Sequence, residues 1–146
     1  MVQNFSKVHD VLETYRTAIY EKDVEKLLSL YASEIHIYDC WGSWESKGIP
    51  LWKATVSDWF NGLREGSVLL EVAFNDVVIE ETSTLAFVHC AVTFTGIQEE
   101  SGMQLQQMTN RFTYGLKKAK GTWVIVHEHS SLPIDFETGK GIFDLK

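Results

Sequence analysis

The chain predicts an α+β fold: helices gathered in its first half, packed on a mostly antiparallel sheet built by its second. Three observations predict it. Up to Gly66 the apolar residues recur mainly at helical spacing, whereas beyond Val68 they recur at a spacing of two in four long β-prone runs. Short turn signals, not further helices, separate those runs, which argues against alternating βαβ units. The strands are long and aromatic, so the sheet is expected to curl strongly around the helices.

Each element has its own justification. Phe5, Val8, Leu12, Tyr15 and Ile19 form one apolar stripe on a long first helix. Asp23 caps a second, shorter helix carrying Leu27, Leu28 and Tyr31. A strand over Ile35 to Trp41 follows, then a polar turn from Gly42 to Gly48. Pro50 suits the first turn of a third helix, where Trp52, Val56, Trp59, Phe60 and Leu63 share a side and Gly66 lies just past the end. Strands are predicted over Val68 to Glu80, Ser83 to Gly96, Gln104 to Leu116 and Thr122 to Ser131. Turns at Glu81-Thr82, Glu99 to Gly102 and Lys118 to Gly121 separate them. With no repeat, linker or low-complexity stretch, residues 1–146 read as a single domain.

Composition narrows the function. A chain of 146 residues can build a core without disulfides or a structural metal. Thirteen Lys and Arg against twenty Asp and Glu give a net charge of -7, a surface that repels phosphate backbones and anionic membranes. Nucleic acid and membrane are therefore not expected partners. No uncharged apolar run approaches spanning length, and the first five residues lack a signal-peptide pattern. Cys40 and Cys90 read as buried free thiols, and the expected location is cytoplasmic. A Gly-rich phosphate loop, a Gly-x-Ser-x-Gly elbow and a Cys-His nucleophile pattern are all missing, so no cofactor is expected.

The last strand carries the chemistry. Read with period two, Trp123, Ile125, His127 and His129 share one face, while Val124, Val126, Glu128 and Ser130 share the other. The first face would wall a pocket that is apolar at depth and polar at its mouth. There His127 and His129 are a general base or a hydrogen-bonding clamp, or else a buried pair satisfied by Ser, Thr or backbone groups. His-x-His on a strand can supply two zinc ligands and His89 is the obvious third, but the chain lacks the His-Glu-x-x-His spacing and no metal is expected. Arg111 depends on the final hairpin. A four-residue loop sets it opposite Glu128 as an ordinary ion pair, and an odd loop sets it beside His129 on the Trp123 face as an anion clamp. Asp39, among Ile35, Ile37 and Trp41, would be half-buried with a raised pKa, or would cap the turn toward Gly42. Tyr38 faces the opposite side. Trp59 is the third-helix ring expected at the pocket, and Trp41 and Trp44 are candidates for a lip or a dimer contact.

The run Trp123-x-Ile125-Val126-His127-Glu128-His129-Ser130-Ser131-x-Pro133, preceded by Arg111-x-Thr113, resembles the SnoaL-like, ketosteroid-isomerase-homologue branch of the nuclear transport factor 2-like superfamily. So do Tyr38-Asp39 followed by Gly48, and the tail from Asp135 to Lys140 and on through Phe143-Asp144-Leu145. The resemblance implies a cone of three helices on a curved mixed sheet, with a pocket at the wide end and a homodimer formed through sheet surfaces. It also implies a choice among isomerases, cyclases, dehydratases, binding domains and assembly hubs, so the fold alone does not decide the function. Ketosteroid isomerases use an Asp base with a Tyr and a protonated Asp. Tyr38 and Asp39 cannot both enter from one regular strand, and no second inward Asp is evident, which argues against steroid isomerase activity. The expected function is to bind a small, partly apolar, carbonyl- or carboxylate-bearing molecule. Proton transfer of isomerase or dehydratase type would fall to His127, His129 or Asp39, with Arg111, Tyr38, Trp59, His89 and Trp123 as ligand contacts. The alternative is a non-catalytic metabolite-binding or dimeric assembly module.

Overall fold

Helix α1 spans Val8–Glu21 and buries Val8, Val11, Leu12, Tyr15, Ala18 and Ile19 along one side. A computed structural model of the chain describes residues 4–144. Met1 to Gln3, and the Leu145-Lys146 end to which the tail motif and the domain reading extend, lie outside the described residues. Helix α2 is short, Val24–Leu28, and begins where the Asp23 carboxylate accepts the Lys26 backbone N–H at 3.0 Å. It stops at Ser29, whose hydroxyl donates back to the Lys26 carbonyl at 2.6 Å. Tyr31, expected in this helix, is instead the first residue of β1 (Tyr31–Tyr38), which starts and ends earlier than the sequence suggested. After β2 (Ser46–Lys47) comes α3 (Ile49–Glu65), with Pro50 in its first turn. Two helices thus precede the first strand and one follows β2.

Four long strands complete the sheet: β3 (Val68–Glu81), β4 (Leu85–Gln98), β5 (Gln104–Ala119) and β6 (Thr122–Ser131). The six strands form one mixed sheet in the order β2-β1-β6-β5-β4-β3, with β1 parallel to β6 and every other pair antiparallel. The α1 stripe meets Trp52, Val56 and Phe60 of α3 and the inward residues Val72, Val88, Val92, Phe112, Tyr114, Leu116, Trp123 and Ile125 in one buried core. Burying side chains of this size contributes about 1.5–3 kcal/mol each, which is what holds the helices on the sheet. Among the described residues, no helix is long and apolar enough to cross a membrane. Cys40 and Cys90 are free thiols, half-buried and buried respectively.

The last hairpin departs from expectation in a way that decides everything after it. Its turn is two residues, Lys120 and Gly121, both at positive φ (52° and 80°), so β5 runs on to Ala119, paired with Thr122. Farther along, Leu116 pairs with Ile125 but Gly115 pairs with His127, leaving Val126 as one extra residue on β6. One extra residue reverses every face beyond it. Trp123, Ile125, Glu128 and Ser130 are buried under the helices, whereas His127 is only half-buried and His129 is exposed. The expectation that Trp123 shares its face with the two histidines is therefore corrected, and the cause is the bulge at Val126.

Candidate functional site

The bulge carries Glu128 and Ser130 inward, and two other elements meet them there. Glu128 is 3% exposed, and the Tyr31 hydroxyl at the start of β1 donates to its Oε1 at 2.6 Å. Burial pushes the Glu128 carboxyl up to about 8, with the Tyr31 bond opposing the shift and the charge of Asp39 adding to it. At neutral pH this acid is mostly protonated. Asp39 lies just past β1, with the inward parity of Ile35 and Ile37, and is half-buried. The Ser130 hydroxyl donates to its Oδ1 at 3.1 Å. Burial raises the Asp39 pKa, while the Ser130 bond and the backbone N–H groups of Cys40 and Trp41 pull it down. Asp39 thus both caps the turn that follows β1 and faces the interior.

A third polar group completes the set. Asn110 of β5 is 3% exposed, and one end of its amide contacts Cys40 Sγ at 3.6 Å. Its other end, Oδ1, has no partner. The Cys40 backbone N–H donates in turn to Ser130 Oγ at 3.0 Å, so contacts run continuously from Asn110 through Cys40 and Ser130 to Asp39. Around these groups stands an aromatic wall. Tyr15 lies 6.0 Å from Phe74, 6.4 Å from Phe112 and 6.0 Å from Tyr114, measured between ring centroids. Half-buried Trp59 of α3 lies 5.2 Å from Phe60 and 6.3 Å from Phe94. The buried Tyr114 hydroxyl and Trp52 indole N–H make no hydrogen bond of ordinary geometry. Burial holds the Tyr15, Tyr31 and Tyr114 hydroxyls well above the usual phenol range, so they stay protonated. Two surface hollows, of about 390 and 280 Å³, lie elsewhere: one at the start of α1 beside the β3–β4 turn, the other between α1 and β3.

The remaining sequence candidates sit on the outer face of the sheet. His127 Nδ1 donates to the His36 carbonyl at 2.6 Å, which places the proton on that nitrogen. Its ring lies 5.1 Å from Tyr38 and 6.3 Å from His129, and Tyr38 lies 5.3 Å from His129. His89 pairs with Thr113, which pairs with His129, so the two imidazoles stand two strands apart, roughly 10 Å. Among the described residues, no three His, Cys, Asp or Glu side chains are grouped to hold a metal ion. Arg111 is exposed, opposite Ala91 and Ser131 and diagonal to His129. Neither of its expected positions is found, because the loop is even and the bulge supplies the odd residue. Arg111, Tyr38, His89, His127 and His129 therefore do not reach the inward acids. Asp39, Trp59 and Trp123 do face inward, although Trp123 packs at the hairpin end, with its backbone N–H on the Phe5 carbonyl at 2.9 Å. Sequence reasoning missed Glu128, Ser130, Tyr31 and Asn110. One signal was present: Gly115, a glycine inside a strand, lies opposite the bulge.

Helices packed on a mixed six-stranded sheet, with carboxyls buried among aromatic rings between them, define an α+β class in which the interior is the candidate site. The chain belongs to the SnoaL-like domain family, whose model matches residues 8–135. It is similar to an NTF2-like protein of unknown function from Pseudomonas putida KT2440, with 28% identity, 97% of this chain and 94% of that chain covered, and a TM-score of 0.82. It shares its fold with a nuclear transport factor 2 superfamily protein from Salmonella enterica serovar Typhimurium LT2, at 19% identity, 91% and 93% coverage and a TM-score of 0.64. A cystatin-like protein of unknown function from Nostoc punctiforme PCC 73102 shares it too, at 15% identity, 86% and 88% coverage and a TM-score of 0.63. No curated protein matches the chain.

Proposed function

We propose that the sheet curls around the helices as a cone whose interior binds a small, neutral, partly apolar carbonyl compound and moves a proton on it. The observation that carries this reading is Glu128: a fully enclosed carboxyl, held by Tyr31, that keeps its proton at neutral pH. With Oε1 occupied by Tyr31, the acid proton on the other oxygen is free to donate to a ligand carbonyl. Asp39, half-buried and with its carboxyl pushed up by burial, takes the proton from the carbon next to that carbonyl and returns it elsewhere. This is a carboxylate base with a neutral acid and a tyrosine, assembled from residues that a regular strand could not bring together. A carboxylate-bearing ligand fits less well, because Arg111 is outside and the site already holds two acids. The ligand enters past Trp59, the half-buried ring at the edge of the aromatic wall.

The test is exchange of carbon-bound protons in D₂O, followed by NMR across a panel of cyclic ketones and β,γ-unsaturated enones. Protein-dependent exchange that Asp39→Asn lowers by roughly 10²–10⁴-fold supports the reading. Binding without exchange leaves a binding module, and neither binding nor exchange leaves an assembly element.

A second observation supports a homodimer through the outer face of the sheet. Phe87 and Leu85 of β4 are 48% and 60% exposed there, and Phe87 stacks with His89 at 6.1 Å. A patch of this kind suits a self-complementary contact about a two-fold axis. Light scattering on the eluting protein tests it. A monomer mass at every concentration would sink it.

A further inference from the structure

We infer that the C-terminal tail is a strap that positions Asp39: Phe143, stacked on Trp41, holds the Trp41 backbone N–H against the Asp39 carboxyl. The inference rests on the interior-site reading above, in which Asp39 is the base. Asp39 sits at a weak point of the fold. It follows the last residue of β1, and from there to β2 the chain has no regular structure. Gly42 stands at a φ of 65°, and Trp41 and Trp44 are 53% and 89% exposed. Loops of this kind move unless something ties them down, yet a base misplaced by about 1 Å loses much of its effect. Three donors hold the Asp39 carboxyl: the Ser130 hydroxyl at 3.1 Å and the backbone N–H groups of Cys40 and Trp41. Cys40 is itself fixed to β6, because its N–H also reaches Ser130 Oγ at 3.0 Å. Among the described residues, no hydrogen bond ties Trp41 to the sheet. Its ring instead stacks on Phe143, with centroids 5.6 Å apart and planes 22° from parallel.

The tail is built to hold that ring in place. Beyond β6 it folds back on itself: Ile134 bridges Gly141, the Asp135 N–H donates to the Lys140 carbonyl at 2.7 Å, and the Ile142 N–H donates to the Pro133 carbonyl at 2.8 Å. The Asp135 carboxylate closes the turn by accepting the Glu137 and Thr138 N–H groups at 2.8 and 3.1 Å. A Cβ on Gly141 would lie 3.7 Å from Leu132 and 3.8 Å from the Phe143 ring, so both side chains close around that glycine. Strand β6 ends at Ser131, opposite Arg111, and the returning tail takes its place along β5. There the Phe143 carbonyl accepts the Thr109 N–H at 3.2 Å. A tail that only covered the sheet would need this bond and not the ring stack. The stack extends the line of contacts to Trp41, whose N–H ends on Asp39. The titratable groups that interact with Asp39 are Glu128 of β6, Tyr15 of α1 and Cys40, none of them in the tail. The strap therefore acts through the Trp41 N–H and not through charge.

The test follows the Asp39 carboxyl by ¹³C NMR as the ligand-free protein is titrated, with the signal assigned by its loss in Asp39→Asn. An N–H donor favours the ionised carboxyl. Phe143→Ala should therefore make Asp39 titrate at higher pH than in the wild type, while Phe143→Tyr, which keeps the stack, should titrate like the wild type. In the D₂O exchange assay Phe143→Ala should lower kcat by roughly 10–10²-fold and leave KM unchanged, with the acid limb of the pH profile moved up to match. Asp39 titrating alike in the wild type and Phe143→Ala would overturn the inference, whatever happens to stability. So would a Phe143→Tyr curve displaced as far as that of Phe143→Ala. The titration needs no ligand, so its outcome is separate from that of the interior-site reading. A displaced titration with no exchange in any of the proteins would support the strap and sink Asp39 as a base.

Discussion

Replacing Glu128 by Gln should make the protein more stable in alkali and leave it nearly unchanged in acid. The folded-state pKa is raised, from 4.5 to about 8. Below pH 4.5 the carboxyl is protonated in both the folded and unfolded states and contributes nothing to the pH dependence. Between 4.5 and about 8 the unfolded chain gives up its proton while the folded protein keeps it, so stability falls as pH rises. A difference of 3.5 pH units at 1.36 kcal/mol each comes to about 5 kcal/mol lost by pH 8 and above. Gln is nearly isosteric, its carbonyl oxygen can still accept from Tyr31, and it does not ionise. Titrating groups that do not act on Glu128 are common to both proteins and cancel in the difference. Urea unfolding of the two proteins from pH 4 to pH 9 should therefore give curves that diverge by about 1.4 kcal/mol per pH unit above 4.5. With a slope near 2 kcal/mol per molar urea, the midpoints should separate by roughly 2.5 M at the alkaline end. Curves that stay parallel across this range would refute the argument that Glu128 is enclosed and uncharged.

Two other outcomes test the architecture. Deleting Val126 should remove the bulge and keep Glu128 and Ser130 inside, because the remaining residues alternate correctly against β5. The deletion variant should unfold cooperatively and retain the falling alkaline stability of the wild type; loss of that signature would show that the bulge does not set the faces. The Cys90 thiol, buried and pushed up to about 11, should stay unmodified by a thiol reagent in the folded protein and react at once when urea unfolds it. Rapid labelling in the native state would contradict its enclosure.

The site costs stability, and the cost is concentrated in few residues. Glu128, Asp39 and Asn110 are polar groups placed where the surrounding core is aliphatic and aromatic. Replacing the ionisable carboxyl of Glu128 by an amide is expected to stabilise the unliganded protein as pH rises above 4.5. Such a cost is what the proposed function requires of residues that serve binding and not packing.

What the sequence determined by itself were the features that neighbours in the chain settle. The helical stripe from Val8 to Ile19, the Asp23 cap, Pro50 at the start of α3 and the four β-prone runs all depend on local spacing and local hydrogen bonding, and they lie where that spacing put them. Asp39 faces inward because its parity with Ile35 and Ile37 survives to the end of β1. The facing of β6 is different in kind. A period-two reading is correct only if no residue is unpaired, and a single unpaired Val126 exchanges a histidine wall for a carboxyl one. Whether the chain spends that residue depends on partners far away in sequence: Tyr31, 97 positions from Glu128, and Asp39, 91 positions from Ser130. Only the assembled sheet brings these together, so only the tertiary structure could decide which of two adjacent residues, His127 or Glu128, enters the core.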